Sequence, residues 1–240
     1  MNRKSIINAV KAIIINKAKP SRIWLYGSEA SGDSLENSDI DIAYLDTSDD
    51  MLTRSFILSE IKDEAEKINT LIKIDISNIA STEERFSMRV KTTGKVLFSS
   101  SKPLRAEDAV YNYSRALTKL IEAQDALPSL IESGLQDIYL DLIVKRFEFT
   151  YEMSWKAIKR VLNMLGIEGV KSPRACFKEA YTQELITEQT IWLDMIEMRN
   201  LSSYAYDELE IQQLKDKLPT YSIAFQCLLK NLKLQLEESE

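Results

Sequence analysis

Gly27-Ser28 is followed, ten residues further on, by Asp39-Ile40-Asp41, and Asp75 stands in a later apolar stretch. Alternation along a strand puts Asp39 and Asp41 on one face, their oxygens close enough to share a cation. Two such carboxylates with a third from a neighbouring strand are how a protein holds Mg²⁺ (or Mn²⁺) against substrate phosphates. A glycine at the end of the preceding strand lets the backbone approach a triphosphate, and the serine hydroxyl and adjacent N–H groups can bond its outer phosphates. No Lys or Arg lies between Arg22 and Arg54, whereas eight acids do, so a phosphate site built here must recruit metal first. Asp-x-Asp alone is common on solvated loops and Gly-Ser alone marks any turn. Their conjunction at this spacing, with an acid on the polar face of a third strand, points to catalysis.

The rest of the composition narrows the chemistry. The 240 residues contain no histidine, so no imidazole serves as metal ligand, triad member or neutral-pH proton shuttle. Lys and Arg number 31 against 37 Asp and Glu, a net charge of −6 with pI ≈ 5.1. That balance offers no chain-wide basic field, and RNA, DNA and an acidic membrane surface are not expected partners. No apolar run reaches the length of a membrane span and the N-terminus lacks a small-residue cleavage site, which leads to the expectation of a cytoplasmic protein. Cys176 and Cys227 lie in apolar, helical-looking contexts without zinc spacing.

Elements that would position the carboxylates are legible from periodicity. Residues 5–17 place Ile6, Val10, Ile13 and Ile14 on one helical face, stopping before Pro20. Residues 23–26 read as a buried strand running into Gly27-Ser28, and 39–45 as a strand with Asp39, Asp41 and Ala43 on one side. A helix over 54–68 precedes 72–77, where three isoleucines share one face and Lys73, Asp75 and Ser77 the other. A helix near 82–92 and a strand at 96–98 complete a small α+β domain, a mixed sheet with flanking helices, expected over residues 1–100. Ser99-Ser100-Ser101-Lys102-Pro103 reads as the linker, being poor in both helix and strand. Residues 104–240 then read as an all-α bundle, with i, i+3/i+4 apolar patterns over 105–133, 136–165, 173–184, 188–201 and 208–237. Gly134 and Gly166 fall where C-caps are wanted, and Pro128 and Pro219 are expected to kink or interrupt their helices.

The stretch WLYGSEASGDSLENSDIDIAYL resembles the signature of the minimal nucleotidyltransferases of the DNA polymerase β superfamily. The resemblance covers roughly the first 100 residues. It implies Gly27 and Ser28 on the triphosphate, Asp39 and Asp41 on the metals, and Asp75, itself a metal-site carboxylate, near the attacking hydroxyl. Gly32 matches the family's second glycine. Glu29 departs from the pattern, for a basic residue usually follows Gly-Ser.

The stretches FEFTYEMSWKAIKRVLNMLGI, SPRACFKEAY and WLDMIEMRNLSSYAYDE are similar to the helical nucleotidyltransferase substrate-binding proteins of the HEPN superfamily. In that superfamily metal-independent RNases use an R-x-x-x-x-H motif, often extended to R-x-x-x-x-H-x-Y. Here Arg199 holds the first position and Tyr206 the last, but Tyr204 stands where histidine belongs. A tyrosine with an ordinary pKa of about 10 is a poor proton acceptor near neutrality, so RNase activity is not expected. Arg174, in Ser-Pro-Arg before a helix, is a candidate anion contact beside the alternatives of a cap or a salt bridge. Lys156, Lys159 and Arg160 read as a solvated helix face. Arg199 amid Asp194, Glu197 and Asp207 reads equally as a local ion-pair network.

Together the two resemblances imply a fused pair that is similar to toxin–antitoxin modules in which the transferase adenylylates its helical partner. The expected reaction is transfer of a nucleoside monophosphate from a nucleoside triphosphate, with ATP as the expected donor, to a hydroxyl acceptor on a protein or small molecule. Tyr206, at the position modified in related two-chain systems, is the candidate acceptor, beside the alternatives of Tyr204 as acceptor and of Tyr206 as a structural hydrogen-bonding tyrosine near a helix end. HEPN-like pairing implies a homodimer through the helical domain. Two rivals stay open: an antibiotic-type transferase acting on a small molecule, and a non-catalytic nucleotide-binding or interaction relic.

Overall fold

The computed structural model describes residues 1–35, 38–46, 48, 50–201 and 208–238. Its packing divides the chain into two compact units, Met1–Ser101 and Lys102–Glu240.

The first unit runs α1 (Arg3–Ala18), β1 (Arg22–Tyr26), α2 (Gly27–Ser31), β2 (Ile40–Leu45), α3 (Met51–Ala65), β3 (Ile74–Asn78), a 3-10 turn, α4 (Glu84–Thr93) and β4 (Lys95–Ser99). The strands form one mixed sheet in the order β3-β2-β1-β4, with β2 parallel to β3 and the other pairings antiparallel. Period-two alternation decides what each face does. Ile23, Leu25, Ile40, Ile42, Tyr44 and Ile76 join Ile6, Val10 and Ile14 of α1 and Ile61 of α3 in one core. Trp24, Tyr26 and Ala43 point the other way, against Ile79 and Val90, with Phe86 of α4 packed alongside. The polar members of the same strands therefore emerge on the α4 side of the sheet.

The second unit is helical: α5 (Lys102–Asp125), α6 (Leu127–Glu132), α7 (Gln136–Met164), α8 (Pro173–Thr182), α9 (Gln189–Leu201) and α10 (Glu208–Glu237). Its core centres on Phe147, whose ring lies 5.6 Å from Tyr221 and 6.4 Å from Phe225. Trp192 and Tyr151 are buried there too, as core residues should be, while Trp155 is only partly covered and donates its indole N–H to Glu152 at 2.8 Å. Gly166 (φ +85°) ends α7 as expected: its left-handed conformation lets Ile167 N–H reach the Leu162 carbonyl at 2.8 Å.

Three expectations are corrected. The segment 99–103 is not a free linker, because Ser99 belongs to β4 and α5 already starts at Lys102. Pro103 fits inside the first turn of that helix, where its missing N–H has no helical partner to lose. The helix foreseen over 105–133 is two helices that part after Asp125, with Pro128 in the first turn of the second. Pro219, by contrast, interrupts nothing: α10 runs through it, held by the flanking Leu218 and Tyr221, each 1% exposed.

Asp194 links α9 to α10, accepting hydrogen bonds from Lys217 Nζ and the Tyr221 hydroxyl, both at 2.6 Å. Burial raises its carboxyl, but these two hydrogen bonds and the lysine charge together carry it below the ordinary range. A carboxyl held low contributes stability above its unfolded pKa of about 4, and that stability is lost as pH falls through the lowered folded value. Asp194→Asn is therefore expected to cost roughly 0.5–1.5 kcal/mol at neutral pH, allowing for its partial exposure. In urea unfolding the two proteins should begin to converge as the pH drops below about 4 and coincide only below the lowered folded value.

Candidate active site

Strand register builds the site. Tyr26 pairs with Asp41 across β1 and β2, and Asp41 with Asp75 across β2 and β3. Residues opposite one another on adjacent strands share a face, so Tyr26, Asp41 and Asp75 form one row on the α4 side of the sheet. That row is part of the floor of a cleft of about 480 Å³, walled by Gly27 and Ala30 on one side and by Phe86 and Arg89 of α4 on the other. Gly27 (φ +68°) turns the end of β1 straight into α2 and presses on the row: a Cβ there would lie 2.2 Å from Asp41 Oδ2. Such contact leaves room for hydrogen alone. The first-turn N–H groups of α2 have no carbonyl partners within the helix, and they start at this glycine.

Electrostatics in the cleft are those of crowded carboxylates. Burial, then the charges of Asp75 and Asp39, push the Asp41 carboxyl above its usual range, with Lys73 acting in the opposite direction. Burial likewise raises the Tyr26 phenol, which neighbouring Asp75 and Asp41 raise further while Ser77 and Arg89 lower it. A cation in the cleft would relieve this crowding.

The expected residues do not all converge. Asp41, Asp75 and Gly27 line the cleft. Asp39 lies just before β2, and its carboxylate is 48% exposed and sits 3.4 Å from Lys73 Nζ. Both partners of that contact are largely solvated, so it is weak. Ser28 stands in α2 but outside the cleft lining; its carbonyl accepts from the N–H groups of Gly32 and Asp33, each at 3.1 Å. Among the described residues no three His, Cys, Asp or Glu side chains form a ready-made metal cage. The donor set nonetheless fits Mg²⁺, which proteins commonly hold through one or two carboxylates together with substrate phosphates rather than by a full protein cage.

Glu29, the residue that departs from the family pattern, does not face the cleft unpaired. Arg3 of α1 donates to its carboxylate from Nε at 2.9 Å and Nη2 at 2.6 Å, and the same guanidinium donates to the Ser38 carbonyl at 2.9 Å. One side chain thus ties α2 to the approach of β2, and so ties Gly27-Ser28 to Asp39. Arg3→Ala is expected to destabilise the first unit by roughly 1–3 kcal/mol, since it strands a half-buried charge. Urea unfolding measures this, and Glu29→Gln, which keeps the hydrogen-bonding shape, should cost less.

Periodicity did not single out Arg89. Its guanidinium lies 5.5 Å from the centre of the Phe86 ring, and the residue lines the same cleft as the two carboxylates. The signal was present: Phe86 and Val90 mark the buried face of α4, and Arg89 borders it. Positive charge for a phosphate therefore arrives from a helix remote from the acidic 23–53 stretch.

In the helical unit, Arg199 pairs with Glu148 of α7 at 3.4 Å, while Asp194 accepts from Lys217 and Tyr221 and Asp207 lies outside the described residues. Arg174 is exposed in the first turn of α8, whose cap is supplied by Ser172 accepting from Ala175 N–H. Tyr204 and Tyr206 lie outside the described residues. No helix among the described residues is long and apolar enough to cross a membrane.

Comparison with known proteins agrees with both halves. Residues 8–103 match the polymerase β nucleotidyltransferase family, and residues 108–234 match the family described as nucleotidyltransferase substrate binding protein like. A curated relative, the probable ribonuclease HepT of Haemophilus influenzae, is 26% identical over 131 residues, spanning 52% of this chain and 87% of its own. Among solved structures, HI0074 of H. influenzae, described as the substrate-binding domain of a nucleotidyltransferase, is 24% identical with a TM-score of 0.39, over 55% of this chain and 98% of its own. A toxin–antitoxin complex with AMP-PNP is 21% identical with a TM-score of 0.32, over 53% of this chain and 97% of its own. The chain belongs to the nucleotidyltransferase substrate-binding-protein-like family through its helical half, which follows a polymerase-β-type nucleotidyltransferase domain in the same polypeptide.

Proposed function

We propose that the first unit is a Mg²⁺-dependent nucleotidyltransferase that moves a nucleoside monophosphate from a triphosphate, ATP by expectation, to a hydroxyl, releasing pyrophosphate. The observation that carries this reading is the row of Asp41 and Asp75 under Gly27, with Arg89 lining the same cleft. Asp41 and Asp75, with Asp39 swung from Lys73, are the residues that would hold the metal. Bound there, Mg²⁺ supplies charge neutralisation at the phosphates. Gly27 lets the triphosphate approach the backbone, and Arg89 offers a planar fork of donors to phosphate oxygens. Asp75 orients the acceptor hydroxyl and receives its proton.

The helical unit presents the acceptor in this reading, in the manner of toxin–antitoxin pairs, and pairs with a second copy. Tyr206 is the first candidate acceptor and Tyr204 the second. A phenol gives up its proton more readily than an alkyl hydroxyl, and one polypeptide keeps donor site and acceptor at high effective concentration. Intact-mass measurement after incubation with ATP and Mg²⁺ tests it. A nucleotide-sized increase that disappears in Tyr206→Phe supports Tyr206, whereas an increase that persists in that variant moves the acceptor elsewhere.

Although the curated relative is named a ribonuclease, RNA cleavage is not part of this proposal, because the chain has no histidine to complete the motif begun by Arg199. One observation favours the relic reading instead: Glu29 replaces the basic residue that usually follows Gly-Ser, and Arg3 is engaged by its carboxylate rather than by a phosphate. Absence of any triphosphate turnover with every acceptor tried, in protein that still folds, would decide for it.

A further inference from the structure

We propose that the helical unit carries a second anion site: a cleft that binds the phosphate groups of a multiply charged ligand, either the backbone of an RNA strand or the polyphosphate of a nucleotide. Three segments distant in sequence converge on it: Lys102 and Arg105 at the start of α5, Lys159, Arg160 and Asn163 near the end of α7, and the loop 168–171 with Lys171. The cleft measures about 350 Å³, within the size of ordinary ligand pockets of roughly 300–1,000 Å³.

Its charge sets it apart from the rest of the molecule. Five cations line it, and Glu168 is the one carboxylate among the described lining residues, tied to Lys102 at 2.5 Å. Lys159, Arg160 and Lys171 have no carboxylate partner among the described residues. Elsewhere in the same unit Lys119, Lys145, Lys156 and Lys217 each sit against an acid, and Lys178, Lys215, Lys230 and Lys233, which do not, line no shared cleft with other cations among the described residues. A solvated helix face disperses its lysines or pairs them with i+3 and i+4 acids, as Lys156 does with Glu152. Here cations from three elements share one concavity in a chain of net charge −6, which raises the local attraction for an anion well above what the overall charge predicts.

The fold holds this geometry in place. The cap at Gly166 reverses the chain at the end of α7, and Gly169 (φ +89°) turns it again, so that loop 168–171 lies beside Lys159 and Arg160. The Arg160 guanidinium provides paired donors matched to phosphate oxygens, Lys159 and Lys171 provide point charges, and the Asn163 amide adds a neutral donor. The site is separate from the acidic cleft of the first unit and does not depend on the transferase reading.

Fluorescence anisotropy on the full chain tests it, with two probes in EDTA: a fluorescein-labelled 12-nucleotide single-stranded RNA and a fluorescent ATP analogue. Chelation keeps the carboxylate cleft from taking part. For at least one probe, Lys159→Ala/Arg160→Ala/Lys171→Ala should weaken binding tenfold or more, while Lys119→Ala/Lys145→Ala/Lys156→Ala should leave it unchanged. If RNA is the probe affected, the logarithm of its affinity should fall with the logarithm of salt by about 0.7 for each phosphate contacted. Loss for RNA alone assigns the site to a nucleic-acid backbone, and loss for the ATP analogue assigns it to nucleotide polyphosphate; either supports the proposal. Circular dichroism confirms folding of both triple variants, and Lys171→Glu alone, on an exposed loop, should weaken binding in the same direction. Absence of binding by both probes, or equal binding by the parent and the 159/160/171 variant, overturns it.

Discussion

Replacing Asp41 with Asn should abolish nucleotidyl transfer while leaving the protein folded and, in metal-free buffer, more heat-stable than the parent. The two effects share one cause. Asp41 is pushed upward in pKa by burial and by the Asp75 and Asp39 carboxylates, so without a cation its negative charge is a strain on the site. Removing the charge relieves the fold and removes the metal's anchor together. A metal that supplies several kcal/mol of charge stabilisation, at about 1.4 kcal/mol per tenfold, makes the expected loss roughly a thousandfold or more. Mg²⁺ with ATP should raise the melting temperature of the parent and not that of the variant, since only a ligand bound to the native state stabilises it. Transfer assays and differential scanning fluorimetry read the two halves separately. A variant both inactive and strongly destabilised would mean that Asp41 is a structural residue.

Gly27→Ala should be nearly as damaging to activity, by a different route. The new methyl group would sit 2.2 Å from Asp41 Oδ2, so the carboxylate must move by an ångström or more. Displacements of that size in a reacting constellation cost about 10²-fold in rate. The backbone at φ +68° adds strain of roughly 1–2 kcal/mol, enough to lower the melting temperature without unfolding the unit. The rate of transfer at saturating ATP and Mg²⁺, compared with that of Gly32→Ala, separates crowding from backbone strain. Gly32 also has positive φ, but nothing lies within 4 Å of its added Cβ. Gly32→Ala should therefore lose stability and keep most of its activity.

How legible all this is in the sequence depends on distance along the chain. The alternation Ile72, Ile74, Ile76 assigns Asp75 to the polar face of its strand, and the same period assigns Asp41 to the polar face of its own, so the face each carboxylate takes is readable before any coordinates. What period cannot give is register, and it is register that sets Asp41 beside Asp75 and leaves Asp39 outside β2. Helix α2 has no apolar repeat in Gly-Ser-Glu-Ala-Ser to announce it. Arg3 and Arg89 reach the site from elements 26 residues before Glu29 and 14 residues after Asp75; nothing local to Arg3 marks its contact, and for Arg89 the only local sign is its place beside the buried face of α4. Pro219 misleads for the converse reason. A proline inside a helix costs about 3 kcal/mol on its own, but burial of Leu218 and Tyr221 on either side outweighs it. Arg199 and Glu148 pair although they are 51 residues apart, a partnership that no local reading gives.

Equilibrium binding of ATP to the full chain, with Mg²⁺ and in EDTA, tests the central claim most directly when run beside Asp39→Asn/Asp41→Asn. Titration should give saturable binding that requires the divalent cation and is absent from the double variant. ATP bound equally well in EDTA and blocked by the 159/160/171 substitutions would place it in the helical cleft. Mg²⁺-dependent binding retained by Asp39→Asn/Asp41→Asn would contradict the account, because the carboxylates would then not be what holds the metal and its nucleotide.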